Sequence, residues 1–277
     1  MHKDKLLSKT GLSPASLDNP SNRIPIASVY ELWENVMRLS QDRMIGVSLA
    51  EKVPFGSYSI LDYMLATSDS PRDALMRSCR SFSLMNNALL LSLRSYRDVV
   101  YLELHNSDKQ SGILRPYVEY IFTNYLMRLR MVTRMQCNPS EVHVTYAMPA
   151  HTCAYDRLFR APVRFNQPVN RLIFPRDLME IPHPFADPEI CELLESYARE
   201  KLRVRSSGRE SLSNIREVLS HRLENGDVSL TALSRHLGKS QRSLQREVSA
   251  SGTTFREILD SVRHERAITL LKHDGLP

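Results

Sequence analysis

The chain has 277 residues, 42% of them hydrophobic and 25% charged, with a formal net charge of +6, the profile of an ordinary globular protein with room for one large domain or two. No apolar run approaches the roughly 20 residues of a membrane helix, and the N-terminus MHKDKLLSKTG lacks the apolar stretch of a secretory signal, so the expected location is the cytoplasm. The four cysteines, Cys79, Cys137, Cys153 and Cys191, form no CxxC unit, which argues against a disulfide framework and reads as small buried hydrophobes.

In chain order, residues 1–27 are polar and broken by Pro14, Pro20 and Pro25, and read as a flexible arm. Leu32, Trp33, Val36 and Met37 repeat at helical spacing and predict a helix from about Val29 to Met44. Ser70-Pro71-Arg72-Asp73 has the form of a helix start, with Ser at the N-cap, Pro at N1 and an acid at N3; this helix reaches about Leu84. Two apolar runs flank Arg97-Asp98 and predict a β-hairpin. A long amphipathic helix is expected from Ile113 to Met135, carrying Tyr117, Tyr120 and Tyr125. Such a stripe is either core or the wall of a ligand pocket, and spacing does not decide between them; the helix is also a candidate contributor to pairing two chains. Glu141–Ala147 alternates as a half-buried strand does. Short strands are expected at Val163–Asn166 and Arg171–Phe174, and a helix from about Asp187 to Leu202. Helices mixed with adjacent hairpins predict an α+β domain over 28–202 rather than a parallel α/β sheet. The polar, basic stretch Arg203–Ser211 is the best linker candidate, and 212–277 reads as all helix. The last 75 residues hold 13 basic against 9 acidic side chains, the first 202 hold 24 against 22, so the positive excess collects where a polyanion would dock.

The informative stretch is VSLTALSRHLGKSQRSLQREVSASGTTF, Val228 to Phe255. Ser229 can cap a short helix whose Leu230, Leu233 and Leu237 share a side. Gly238 suits its left-handed end, and Ser240 can cap a second helix two residues on. Two short helices joined by so tight a turn make a helix-turn-helix signature. In the second helix Leu244 and Val248 share the buried side, whereas Arg242, Gln245 and Arg246 share another. Arg reads guanine through O6 and N7, Gln reads adenine, and Ser240 with the amides at the helix start suits a phosphate. The plainer alternative is a bundle helix with a solvated basic face. Phe255, Ile258, Leu259 and Val262 outline a third helix, continued by Ala267, Leu270 and Leu271.

The order SLTALSRHLGKSQRSLQREV, then SGTTFREILDSVRHERAITLL, resembles the first half of an AraC/XylS-type DNA-binding domain, with Ser234 where that family usually has Ala. Pro71-Arg-Asp-Ala-Leu, Tyr155-Asp-Arg-Leu-Phe and Val163-Arg-Phe-Asn followed by Asn170-Arg-Leu-Ile-Phe resemble the arabinose-binding-like effector and dimerisation domain of one branch of these regulators. The resemblance implies an α+β effector/dimerisation domain, then an all-α helix-turn-helix domain at 212–277. It implies that Arg242, Gln245 and Arg246 reach bases, that Ser240 and Thr254 position the DNA backbone, and that Ser243 belongs to the same contacting set. The implied partners are double-stranded DNA, a second copy of the chain, a small-molecule effector and RNA polymerase, with no cofactor and no membrane. It also implies that the chain, closing on Gly275 and Pro277, stops before a second helix-turn-helix that would follow the connecting helix, where Ile268 and Leu271 await cover.

Other signals are weaker. Gly238-Lys239-Ser240 is only the tail of a phosphate loop, since Leu233 stands where a Walker A motif needs Gly. His143, His151 and Cys153 do not make a paired metal motif, and Asp69 and Asp73 sit where acids favour a helix start. Two rival readings remain: a regulator controlled by a protein partner instead of a small molecule, and an enzyme with incidental C-terminal helices, which would need a polar catalytic cluster that the sequence does not display.

Overall fold

The computed structural model describes residues 3–18, 22–107, 112–150, 152–225, 227–250 and 253–273. The chain divides into two compact units, Met1–Arg199 and Glu200–Pro277. Among the described residues no helix is long and apolar enough to cross a membrane.

Unit 1 is built on a five-stranded sheet: β1 (Leu89–Tyr96), β2 (Val99–Asn106), β3 (Glu141–His143), β4 (Val163–Arg164) and β5 (Asn170–Pro175), in the order β1-β2-β5-β3-β4. All neighbours run antiparallel except β3 and β4. The register lines up one apolar row across every strand: Leu93 opposite Leu102, Leu102 opposite Leu172, Leu172 opposite Val142, and Val142 opposite Val163. Cross-strand pairs of this kind fix register, because a slip of one residue would turn the whole row to the other face. The hairpin turn falls at Arg97-Asp98 as expected, with Arg97 at φ 49°. The alternation of 141–147 also holds, with Val142 and Val144 buried, but regular strand ends at His143.

The helices of this unit are α1 (Lys3–Leu7), α2 (Pro14–Leu17), α3 (Ile26–Leu39), α4 (Ile45–Ala50), α5 (Ile60–Thr67), α6 (Pro71–Ser81), α7 (Arg115–Thr133), α8 (Cys153–Phe159), α9 (Arg176–Met179) and the start of α10 (Pro188–Asn225). The start of α6 is the one read from sequence: the Ser70 hydroxyl accepts from the Asp73 amide at 3.2 Å. A 3₁₀ turn, Phe82–Leu84, completes it. α7 lies at the centre, with Val118, Phe122, Leu126 and Leu129 fully buried and joined to the sheet residues in one core. Its main apolar face is therefore consumed inside the unit, while Met131 on the same helix stands exposed.

Two expectations are corrected. The described part of the N-terminal segment is not a loose arm: buried Asn35 on α3 donates to the carbonyls of Leu6 and Ser8 at 2.8 and 2.7 Å, tying α1 down through backbone acceptors. Arg203–Ser211 is not irregular. It lies within α10; the segment lacks proline, and Arg and Glu are good helix formers that offset Gly208.

Unit 2 consists of the remainder of α10, α11 (Leu230–His236), α12 (Gln241–Ala250) and α13 (Phe255–His273). Ile215 and Leu219 of α10, Leu233 of α11, Leu244 and Val248 of α12, and Ile258 and Val262 of α13 form one buried cluster. Gly252, Gly275 and Pro277 lie outside the described residues, as do the side chains of Ile268, Leu270 and Leu271.

Candidate nucleic-acid interface and effector cavity

α11 begins at Ser229, whose hydroxyl accepts from the Ala232 amide at 3.2 Å. The Asp227 carboxylate braces this cap, accepting from the Ser229 amide at 2.7 Å and its hydroxyl at 2.8 Å; those hydrogen bonds hold its carboxyl below the usual range. α11 ends in a left-handed turn. Gly238 has φ +63°, its amide donates to Arg235 O at 3.3 Å, and the Lys239 amide donates to Ser234 O at 2.9 Å. That pair of bonds is a Schellman closure, which satisfies carbonyls a helix end would otherwise strand. The role read for Gly238 is thus its conformation, not a phosphate loop.

Ser240 then starts α12: its hydroxyl accepts from the Ser243 amide at 3.1 Å. Gln241 donates to the Thr231 hydroxyl at 3.0 Å, and Lys239 pairs with Glu247 at 2.7 Å, fixing the turn against both helices. Leu244 and Val248 are buried, 0% and 1% exposed, while Ser240, Arg242, Ser243, Gln245 and Arg246 are all exposed. Among the described residues, neither Arg242 nor Arg246 has an acid within 4 Å. Thr254 caps α13 in a reciprocal box: its hydroxyl accepts from the Glu257 amide at 3.2 Å, and the Glu257 carboxylate accepts from the Thr254 amide at 2.8 Å. Sequence reasoning did not identify the braces Asp227, Lys239 and Gln241, whose partners lie outside the periodic pattern that betrays the core.

Unit 1 contains a cavity of about 240 Å³ between α5, α6 and α7. Tyr117, Tyr120 and Tyr125, which share one helix, all line it, together with Tyr58, Asp62 and Arg128, which no periodicity groups. Arg128 Nε lies 2.5 Å from Asp62 Oδ1, with both side chains nearly inaccessible. The guanidinium stacks over the Tyr58 ring at 4.3 Å, and the Tyr58 and Tyr120 hydroxyls are 2.7 Å apart. Burial pushes the Tyr117 hydroxyl up to about 12 and that of Tyr58 higher, so both stay protonated.

Of the weaker signals, His143 donates or accepts at 2.8 Å with Glu141, and Cys153 is exposed; His151 lies outside the described residues. Among the described residues no three His, Cys, Asp or Glu side chains converge as a metal site.

An α+β unit followed by a capped helix-turn-helix is the architecture of a transcription regulator. The family model for the N-terminal arabinose-binding domain of AraC transcription regulators matches residues 1–183, and the chain belongs to that family. It is 24% identical over 265 residues to the ornithine utilization regulator of Pseudomonas aeruginosa, covering 95% of this chain and 78% of that protein. It is 22% identical over 280 residues to an uncharacterized HTH-type transcriptional regulator of Mycobacterium tuberculosis, covering 98% and 80%. The crystal structure of the transcriptional regulator CdpR from Pseudomonas aeruginosa shares the fold, with TM-score 0.50 and 21% identity over 92% of this chain and 83% of that one. The chain is an AraC-type transcription regulator with an arabinose-binding-like N-terminal domain.

Proposed function

We propose that this regulator binds specific DNA sites by laying α12 in the major groove. Arg242, Gln245 and Arg246 read base edges, and Ser240, Ser243 and Thr254 hold phosphates. The observation that carries this is the division of α12: Leu244 and Val248 anchor one side in the core, while the opposite side presents two guanidinium groups without acidic partners among the described residues. A structural surface helix usually lays acids among its bases; here the only acid on α12, Glu247, is engaged by Lys239. The positive excess of the C-terminal quarter supplies sequence-independent attraction to phosphates.

Unit 1 takes a small-molecule effector, supported by its cavity, and pairs two chains in the cytoplasm. Pairing is supported by Ile190, Leu193 and Tyr197, which stand 47%, 70% and 53% exposed along α10 while Cys191 and Ala198 on the same helix turn inward. Two copies also give the site size that a single short recognition helix lacks. RNA polymerase is the partner through which a bound regulator would change transcription.

Selection of duplexes from a random pool by the full chain tests the reading. Enrichment of a defined motif, with affinity falling steeply as salt rises, is the expected result. A pool that stays random after repeated rounds would overturn it.

A further inference from the structure

Unit 1 carries a partly open cavity between α5, α6 and α7. Protein interiors are filled nearly to crystal density, and the core of this unit is otherwise closed by fully buried leucines and phenylalanines. The cavity of about 240 Å³ exceeds the roughly 150 Å³ void known to accept benzene. Its wall is mainly apolar but carries the hydroxyls of Tyr58, Tyr117 and Tyr120.

The charges in that wall are already spent on one another. Arg128 donates from Nε to Asp62, from Nη1 to Asn124 at 2.7 Å and from Nη2 to the Pro54 carbonyl at 3.3 Å. Asp62 also accepts from the amides of Gly56 and Tyr58 at 2.7 and 3.1 Å. An ionic ligand would find no opposite charge free in the wall and would give up part of its hydration without a partner, a costly exchange. What remains open is phenolic O–H. Tyr117 accepts from the Asn86 amide and keeps its own hydrogen to give. Tyr58 and Tyr120 share a single hydrogen bond, which leaves one hydrogen over.

We propose that this cavity is the effector site, and that it takes an uncharged, mainly apolar molecule about the size of a substituted benzene ring with one or two oxygen acceptors. The proposal rests on the reading of the chain as a ligand-responsive regulator. The ring of the ligand lies among the tyrosine faces, and its oxygen accepts from Tyr117 or from the Tyr58–Tyr120 pair.

The chain supplies its own reporter. Trp33, its single tryptophan, has its ring centroid 5.7 Å from that of Tyr117 and 5.6 Å from that of Tyr120. The experiment titrates the full chain with benzyl alcohol, benzoate and benzylamine at neutral pH, following Trp33 emission excited at the red edge of the indole band. Benzyl alcohol should give a saturable change, and the two ions should bind at least about tenfold more weakly, as loss of their hydration without a partner requires. Tyr117→Phe should weaken benzyl alcohol roughly three- to tenfold, the effect of one hydrogen bond. Leu61→Phe, which fills the cavity from α5, should abolish saturation; if that variant does not fold, Tyr117→Phe decides alone. A linear response to benzyl alcohol, equal binding of all three probes, or indifference to Tyr117→Phe would overturn the assignment. DNA takes no part in this assay, so failure here leaves the base-reading role of α12 standing, and failure of duplex selection leaves a saturable cavity standing.

Discussion

Asp62 on α5 and Arg128 on α7 hold each other at 2.5 Å with 2% and 6% of their side chains exposed, so each is the neutralising partner of the other inside the core. Removing one leaves the other charged and buried, which typically costs about 3–5 kcal/mol. Asp62→Ala also strands the amides of Gly56 and Tyr58. Urea denaturation followed by Trp33 emission should show a loss of that order for Asp62→Ala or Arg128→Ala. A change below about 1 kcal/mol in both would mean that the pair is solvated in solution.

Glu119 on α7 should make the stability of unit 1 depend on pH. Its side chain is fully buried, and burial raises its carboxyl to about 7 against an ordinary 4.5, although the Tyr155 hydroxyl and the nearby Arg115 pull the other way. Oε2 has no hydrogen-bond partner. The folded state therefore holds a proton that the unfolded chain releases. Its contribution is fully present below about pH 4.5 and is lost as pH rises through about 7, by up to about 3 kcal/mol. Glu119→Gln cannot titrate, so the stability of the wild type relative to this variant should fall across that window and then level off. Parallel stability curves from pH 4 to 8 would contradict it.

The sequence was legible where local chemistry and burial agree. Ser70, Ser229 and Ser240 each announce a helix start by composition, and each hydroxyl accepts the expected amide. The β1–β2 hairpin and the two faces of α12 follow from periodicity. What escaped lacks such a signature. α4 and α5 are short, have no side-chain cap and owe their helical state to packing, α4 against α7 and α5 against α6 and α7. The cavity was half visible: Tyr117, Tyr120 and Tyr125 share one helix, but Asp62 meets Arg128 across 66 residues of sequence, a distance no periodicity reveals. Residues 203–211 misled because small polar composition is common to linkers and to solvated helix.

Two glycines should fail on substitution for different reasons. A Cβ on Gly46 would lie 2.1 Å from Pro116 O, so Gly46→Ala must push α4 away from the first turn of α7. Overpacking of this kind costs about 1–3 kcal/mol, readable in the Trp33 transition. Gly238 has open space around it but φ +63°, so Gly238→Ala costs only the left-handed strain, about 1–2 kcal/mol. Amide exchange in α11 and α12 should quicken by about an order of magnitude, with the Trp33 transition unmoved. Unchanged exchange would mean that the turn adopts another conformation.

The exposed run on α10 gives a test of pairing. Leu193 is 70% exposed, so Leu193→Glu should leave stability within about 0.5 kcal/mol while setting a charge in an apolar interface. Sedimentation of the full chain should show a dimer for the wild type and a shift towards monomer for the variant. If the wild type is monomeric at tens of micromolar, the pairing reading falls; if the variant remains as dimeric as the wild type, the interface lies elsewhere.

Residues on the two sides of α12 should separate folding from reading. Leu244 is 0% exposed within the unit 2 cluster, and Leu244→Ala should cost about 2–5 kcal/mol of stability through the cavity it leaves. DNA binding then fails because the helix-turn-helix is no longer held, and it fails alike on every sequence. Arg242 and Arg246 are exposed and make no ion pair among the described residues, so their replacement by Ala should leave unfolding unchanged. On a selected duplex each replacement should cost about 1–3 kcal/mol and relax preference at one base pair, while affinity for a scrambled duplex of equal length falls much less. Fluorescence anisotropy on both duplexes at fixed salt makes the comparison. Equal losses on the two would assign these guanidinium groups to phosphates, leaving base recognition to Gln245 and the rest of the exposed side of α12.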